Sequence, residues 1–281
     1  MTDSLQLGVL YIVATPIGNL SDITFRAIET LKLADKILAE DTRDSQVLLN
    51  HYGIHKPLLS LHEHNERSRI ELVESLLNQG LSIALISDAG TPLISDPGYV
   101  LVKELKAKNY KIIPIPGPSA LITALCASGL PTENFSFLGF LPVKNSEKKS
   151  CFLNLKESFV TSIFYESKHR LLDSMKLLCE ILPDREMVLA KELTKQFEQI
   201  KLGFPKDILD WLERDIHMQK GEFVLIISPA VPSTEGPDYT DLLKILLKKL
   251  SLKEAVACAV EITGGNKNAL YKLALSLSSA L

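Results

Sequence analysis

Gly8-Val9-Leu10-Tyr11-Ile12-Val13-Ala14-Thr15-Pro16-Ile17-Gly18-Asn19 is an apolar, β-branched run that stops in a proline turn. A short continuous apolar run bounded by a turn reads as a strand buried on both faces, the kind found in parallel sheets. How it ends is informative. Dinucleotide binding needs G-x-G-x-x-G so that the backbone can approach a pyrophosphate, and a P-loop needs G-K-[ST]. Gly18 is the lone glycine of this turn and no lysine follows it. The turn therefore argues against a phosphate cradle. It can still line a pocket at the carboxyl edge of a sheet, where ligands of open α/β folds bind.

Outward from this run, further strand-like segments stand at 35–39, 57–61, 82–87 and 110–115, with helical patterns between them. In one of these, Asp22 to Ala34, the residues Ile23, Ala27 and Leu31 recur one turn apart, with Asp22 as the expected N-cap. Strand–helix alternation at this spacing implies βα units around a mainly parallel sheet. Pro114-Ile115-Pro116-Gly117-Pro118 then sets three prolines in five residues. Proline fixes φ and lacks the amide donor, so neither strand nor helix is expected to cross it. Ser119 is expected to cap the helix that follows.

The second half offers strands at 134–140, 161–167, 186–191 and 221–228, with helical patterns at 171–182 and 205–216. Pro229 to Pro237 reads as a linker. The remainder is helical, and Ala255, Val256, Ala259 and Val260 are expected to pack on Ala269, Leu270, Leu273 and Ala274 across a Gly264-Gly265-Asn266 turn. The expected organisation is α/β, with domains at 1–117 and 118–229 and a helix-turn-helix-like module at 237–281. From 237 onward six lysines face four acids. A small stabilising cap accounts for that pattern as well as nucleic-acid contact does.

Length and composition agree with a two-domain soluble chain: 281 residues, 46% apolar, 23% charged. A net charge of −3 selects no partner, so any nucleic-acid surface must be local. Cys126, Cys151, Cys179 and Cys258 lack C-x-x-C spacing, which fits reduced core thiols in a cytoplasmic protein. The N-terminal stretch has no cationic n-region, and its apolar run is too short for a signal or membrane span.

Several clusters at strand ends carry side chains suited to chemistry. Glu40-Asp41-Thr42-Arg43 sets two acids beside an arginine, as a catalytic base or substrate clamp would require, although an N-cap alone accounts for Asp41. Ser87-Asp88-Ala89-Gly90-Thr91-Pro92-Leu93-Ile94-Ser95-Asp96 is a rigid loop with many free backbone groups, better suited to a neutral or cationic ligand than to a polyphosphate. His62-Glu63-His64-Asn65-Glu66 resembles a metal-ligand run, but no distant His/Cys set completes it, and hydrogen bonding to a polar substrate is preferred. Tyr165 to Arg170 and Lys191 to Glu198 place basic side chains where phosphates could be met, or where ordinary ion pairing would hold a loop.

Taken together, ATPIGNLSDIT, AEDTR, HEHNE, SDAGTPLISDPGY, PGPSA, FYESKHR and LAKELTKQFE resemble, in order and over nearly the whole chain, the ribosomal RNA small subunit methyltransferase I family. The resemblance implies two α/β domains of the tetrapyrrole methylase type with a cofactor cleft between them, and S-adenosylmethionine as cofactor. It implies 2′-O-methylation of the ribose of a decoding-centre cytidine, cytidine 1402 of 16S rRNA, in the small ribosomal subunit. A homodimer is implied as well. Carried onto this sequence, cofactor contacts fall on Pro16, Ile17, Ala89, Gly90, Thr91, Ile94, Ser119, Ala120, Tyr165, Glu166, Lys191 and Leu193. Relatives often carry G-P-G-D where this chain has Pro16-Ile17-Gly18-Asn19. A ribose hydroxyl is a poor nucleophile at neutral pH, so Glu40 or Asp41 is expected to accept its proton, with Arg43, His62, His64 and Arg170 orienting RNA. No metal is required.

Three rivals make different predictions. A tetrapyrrole (precorrin-type) methylase would methylate carbon, and the basic tail and HEHNE segment argue against it. A metal-dependent hydrolase would be built on HEHNE and Asp88. A ligand-sensing regulator would bind duplex DNA through the tail, with a steep salt dependence.

Overall fold

A computed structural model describes residues 8–231 and 239–278. The first sheet holds five strands, β1 (Val9–Val13), β2 (Lys36–Ala39), β3 (Leu58–Ser60), β4 (Ile83–Ile86) and β5 (Lys111–Ile115). All are parallel, in the order β3-β2-β4-β1-β5. The crossovers are α1 (Phe25–Leu33), α2 (Thr42–His51), α3 (Glu66–Asn78) and α4 (Tyr99–Ala107). Successive side chains of a strand face opposite ways, and here both faces are covered. Val9, Ile37 and Ala84 join one core with Ala27, Leu31 and Leu49, while Leu10, Leu38 and Leu85 join another with Val73, Leu101 and Leu105. Each fully buried Leu or Ile contributes about 1.5–3 kcal/mol relative to exposure.

One local expectation is corrected here. Thr24, not Asp22, caps α1: its side chain accepts the Ala27 amide, and Asp22 belongs to a short 3₁₀ turn that Asn19 caps. The strand expected at 110–115 is β5, which takes in Pro114, paired with Ile12, and ends at Ile115, so no element crosses the proline-rich segment. β5 is an edge strand, so the missing proline donor can face its open side without breaking a ladder.

The second sheet begins after α5 (Ala120–Cys126). Its strands are β6 (Phe135–Phe140), β7 (Thr161–Ser167), β8 (Met187–Lys191), β9 (Gln199–Gly203) and β10 (Glu222–Ile227), ordered β6-β7-β10-β8-β9. Only β6 and β7 are parallel; the other pairs are antiparallel. The helices α6 (Asn145–Asn154), α7 (Leu171–Ile181) and α8 (Pro205–Arg214) share one core with Phe164, Leu189 and Leu225. On the opposite face Ile163, Val188 and Val224 pack with Leu121 and Leu125 of α5 and with Ile17 from the turn after β1. That contact joins the two sheets, which fall in one compact unit ending at Ala230.

Neither β9 nor α6 is legible in the sequence. β9 is an edge strand with no fully buried residue, and α6 buries only Lys148 and Phe152. Cys126 is exposed and the other three cysteines are half-buried, so none is a true core thiol, and all four are unpaired.

The second compact unit, described by itself, contains α9 (Thr240–Leu247), α10 (Leu252–Thr263) and α11 (Lys267–Ser278). Leu243, Val256, Ala259, Leu270 and Ala274 form its core. Ser251 and Glu254 close a capping box on α10, satisfying amides that the first turn leaves orphaned. Most of the expected linker, and its junction with the tail at 237, lie outside the described residues. No helix among the described residues is long and apolar enough to cross a membrane.

Candidate active site

Three loops meet at the carboxyl edge of the first sheet because β4, β1 and β5 are neighbours there. Thr15 donates its amide to the Gly90 carbonyl at 2.8 Å, and the Gly90 amide returns a bond to the Thr15 carbonyl at 3.1 Å. The Thr15 hydroxyl donates to the Ser87 carbonyl at 3.1 Å, and that of Thr91 to the Pro118 carbonyl at 3.0 Å. The turn after β1, the loop after β4 and the segment after β5 are thus tied together. A Cβ on Gly117 would stand 2.9 Å from the Ala14 Cβ, which is why a residue without a side chain sits at this crossing. Within the β4 loop Leu93 and Ser95 adopt φ of 73° and 69°. Such non-glycine conformations cost about 1–3 kcal/mol each and persist where the surroundings enforce them, often at functional sites.

Between this edge and the second sheet lies a cleft of about 760 Å³. Of the residues singled out in the sequence, Ile17, Glu40, Ala89, Gly90, Thr91, Ile94, Ser119, Ala120, Tyr165, Glu166 and Leu193 line it. Pro16 and Lys191 do not: both are buried in the packing behind its wall. Phe140 is a lining residue that no motif flagged, and Lys168, His169, Glu192 and Lys195 line it from within clusters noted only as basic. The Tyr165 ring meets Phe137 and Phe140 edge-on, at centroid distances of 4.9 and 5.5 Å, so this wall is apolar and stiff. Lys195 bonds Glu192 and Glu222 at 2.9 and 2.8 Å. It also lies so close over Gly18 that a Cβ there would be 2.5 Å from the lysine Cγ.

The acids of the site sort by environment. Asp41 is the N-cap of α2, and its carboxylate accepts the Arg43 amide at 2.8 Å and the guanidinium at 2.9 Å. Those bonds hold it down at about 2. Glu40 points the other way, into the cleft, and no described residue donates to its carboxylate. Burial pushes its pKa up, and Asp88 and Glu63 add to the effect. Asp88 is also raised by burial, although it accepts the Asp41 amide at 2.9 Å. Asp96 is pushed up to about 7, first by burial and then by Glu40 and Asp88.

On the second sheet the buried Glu166 carboxylate takes the Arg170 guanidinium at 2.8 Å and its neighbour's amide, from Ser167, at 2.7 Å. The Ser174 hydroxyl donates to it, and Lys148, also buried, bonds Ser174 at 2.8 Å and stands 3.7 Å from the carboxylate. Arg170 further donates to the Leu141 carbonyl and the Ser167 hydroxyl. Its guanidinium is therefore committed to this network, contrary to the expected RNA role. Lys168 and His169 line the cleft and pair with no described residue.

The HEHNE segment does not line the cleft itself, but Glu63 is near enough to Glu40 to act on its charge. His62 lies against Asn65, its Nε2 3.0 Å from the amide nitrogen, and its buried Nδ1 has no partner among the described residues. His64 and Arg43 are exposed. Among the described residues no three His, Cys, Asp or Glu side chains come together as a metal-ligand set.

A cleft at the carboxyl edge of a parallel sheet, closed by a second mixed sheet and lacking a phosphate-binding loop, agrees with the tetrapyrrole methylase class to which this chain belongs. Residues 9–208 match the family described as "Tetrapyrrole (Corrin/Porphyrin) Methylases", and residues 233–278 match "RsmI C-terminal HTH domain". The fold is similar to that in "Crystal structure of diphthine synthase", with a TM-score of 0.61 over 79% of this chain and 90% of that one, at 15% identity. Within this class the chain belongs to the ribosomal RNA small subunit methyltransferase I family. It is 47% identical to the member from Haemophilus influenzae, covering 98% of this chain and 99% of the relative. It is 48% identical to that from Pasteurella multocida, covering 95% and 97%.

Proposed function

We propose that this protein methylates the ribose 2′-hydroxyl of cytidine 1402 in 16S rRNA of the small ribosomal subunit, using S-adenosylmethionine, and that it works as a cytoplasmic homodimer. The observation that carries the reading is what lines the cleft. Carboxylates of Glu40, Asp88 and Asp96 from the loops after β2 and β4 share it with apolar Ile17, Phe140, Tyr165 and Leu193, and unpaired Lys168 and His169 also line it.

The donor set fits the cofactor. Its cationic sulfur suits carboxylates, its adenine suits an apolar and aromatic wall, and about 760 Å³ falls within the usual range for such ligands. When bound, S-adenosylmethionine supplies an electrophilic methyl group. Ala89, Gly90 and Thr91 offer backbone groups held rigid by the Thr15 and Pro118 bonds, and rigidity of this kind keeps reacting atoms aligned. Ser119, Ala120, Tyr165 and Leu193 bound the same space from the second half of the chain. Of the two acids after β2, Glu40 is the one in the cleft, where it meets either the cofactor or the hydroxyl proton. Lys168 and His169, with the exposed Arg43 and His64, are suited to RNA phosphates.

The test is transfer of labelled methyl groups to small subunits lacking the modification, followed by mapping of the modified nucleotide. Label at the ribose of that cytidine is expected; label on carbon, or none on any small-subunit RNA, rejects the reading.

A further inference from the structure

We propose that Phe140 is the platform on which the base of the target nucleotide stacks, and that Lys168 and His169 take a phosphate beside it. The proposal deepens the methyl-transfer reading above, on which it rests, by naming where the RNA strand meets the cleft.

Phe140 reaches the cleft through an irregularity in β6. Phe137 pairs with Ile163 and Phe140 with Tyr165, so β6 takes one residue more than β7 over this step, and Gly139 within it has a φ of 71°. On a regular strand, residues an odd number apart face opposite ways. The bulge re-aims the second ring, and both phenylalanines end edge-on to Tyr165. A Cβ on Gly139 would stand 3.7 Å from the Ser95 hydroxyl oxygen, so the bulge also abuts the loop after β4. Phe140 is 54% exposed, whereas Ile17 and Leu193 of the same lining are 7% and 6% exposed. Tyr165 thus holds the ring, and about half of the residue is left for a ligand to cover.

The same wall carries basic groups without partners. The Leu141 amide, next to Phe140, donates to the Tyr165 carbonyl at 3.0 Å, and Arg170 donates to the Leu141 carbonyl at 2.9 Å. The Arg170 amide closes a turn onto the Ser167 carbonyl at 3.1 Å, while its guanidinium holds the buried Glu166 at 2.8 Å. Lys168 and His169 stand within that turn, exposed, lining the cleft and paired with no described residue. Lys195 of the same lining is by contrast neutralised by Glu192 and Glu222. One arginine therefore ties the open ring to the turn that presents two free basic side chains.

That combination separates the two occupants of the cleft. Single-stranded RNA is recognised by aromatic rings that stack on its bases and by basic groups that meet its phosphates. S-adenosylmethionine carries no phosphate, and its lone carboxylate needs only one basic partner. A pair of basic groups beside an open ring fits a nucleotide better, and the more buried Ile17, Leu193 and Tyr165 remain for the adenine.

The experiment compares steady-state methyl transfer to unmodified small subunits with cofactor affinity by calorimetry, both in the full chain. Phe140→Leu keeps an apolar side chain and removes the ring face. It is expected to lower kcat/KM toward subunits by about 5–100-fold, the usual worth of one stacked base, with cofactor Kd within about twofold of wild type. Phe140→Trp, which restores a stacking face, is expected to return to within about threefold of wild-type efficiency. Lys168→Gln combined with His169→Gln is expected to lower kcat/KM and to flatten its dependence on salt, again with cofactor Kd unchanged, whereas Phe140→Leu keeps the wild-type salt slope. Three results would overturn the proposal: Phe140→Leu as efficient as wild type, a salt slope untouched by the double substitution, or a loss of cofactor affinity that matches the loss of kcat/KM in either variant. The last would assign these side chains to the adenine or the carboxylate of the cofactor. A wild-type protein that binds cofactor and labels no small-subunit RNA overturns the underlying reading instead, so the wild-type arm tells the two failures apart.

Discussion

Glu40 and Asp41 are adjacent in sequence and opposite in environment. Asp41, in extended backbone, turns its carboxylate back onto α2, while Glu40, the residue between β2 and that cap, lines the cleft. Asp41→Ala is therefore expected to lower the thermal midpoint by a few degrees through loss of the cap, leaving methyl transfer within about threefold of wild type. Glu40→Gln should do the reverse, slowing transfer more than about tenfold with little change in melting; calorimetric scans and initial rates on the same samples separate them. Asp96 makes a prediction of different sign. Its folded pKa is raised above the unfolded value of 3.8, so the folded state binds the proton more tightly. Stability from this group is complete at low pH and is lost as pH rises from about 4 to about 7, where the unfolded chain has already ionised. Asp96→Asn should thus melt about 2–4 °C higher than wild type at pH 8 and nearly equally at pH 4.

At the scale of elements, the end of β7 is fixed by an ionic network and not by packing alone. Glu166 lies in a dry site between Arg170 from the start of α7 and Lys148 from α6, with Ser174 bridging. Removing one partner of a buried ion set leaves charge uncompensated, which is more damaging than replacing the whole set. Lys148→Met, similar in size, is expected to cost about 2–4 kcal/mol in urea unfolding, since Arg170 still holds one carboxylate oxygen. Cofactor affinity should fall in the same variant, because Tyr165, Glu166 and Ser167 at the strand end all line the cleft. The sequence marks Tyr165 to Arg170 as a cluster, yet its two roles are not separable by residue type. Arg170 and Lys168 are both cations after the same strand. Only the turn between β7 and α7, which brings Arg170 back onto Glu166, Ser167 and the Leu141 carbonyl, decides that one is structural and the other free.

At the scale of the whole molecule, the tail is a compact unit with its own core, matching a helix-turn-helix family. A chain ending at Ala230 is expected to keep its cofactor affinity within about twofold while losing most of its kcat/KM toward small subunits. Equal efficiency toward subunits would mean that the tail is only a cap. What the sequence determined by itself is the succession of elements, β9 and α6 apart, and the lack of a phosphate-binding turn after β1. Apolar runs of strand length, the absence of a phosphate loop at Thr15 to Asn19, and ordered motifs at strand ends are local properties, written in neighbouring residues. What the tertiary structure decided is which of those ends meet. The order β3-β2-β4-β1-β5 brings Glu40 to Asp88 and Asp96 of the β4 loop although a whole βα unit separates them in the chain, and Ile17 carries the first turn into the core of the second sheet. A proton affinity depends on burial and on neighbouring charge. Asp96 therefore stays one more turn residue in the sequence, and its proton affinity rises only when folding buries it beside Glu40 and Asp88.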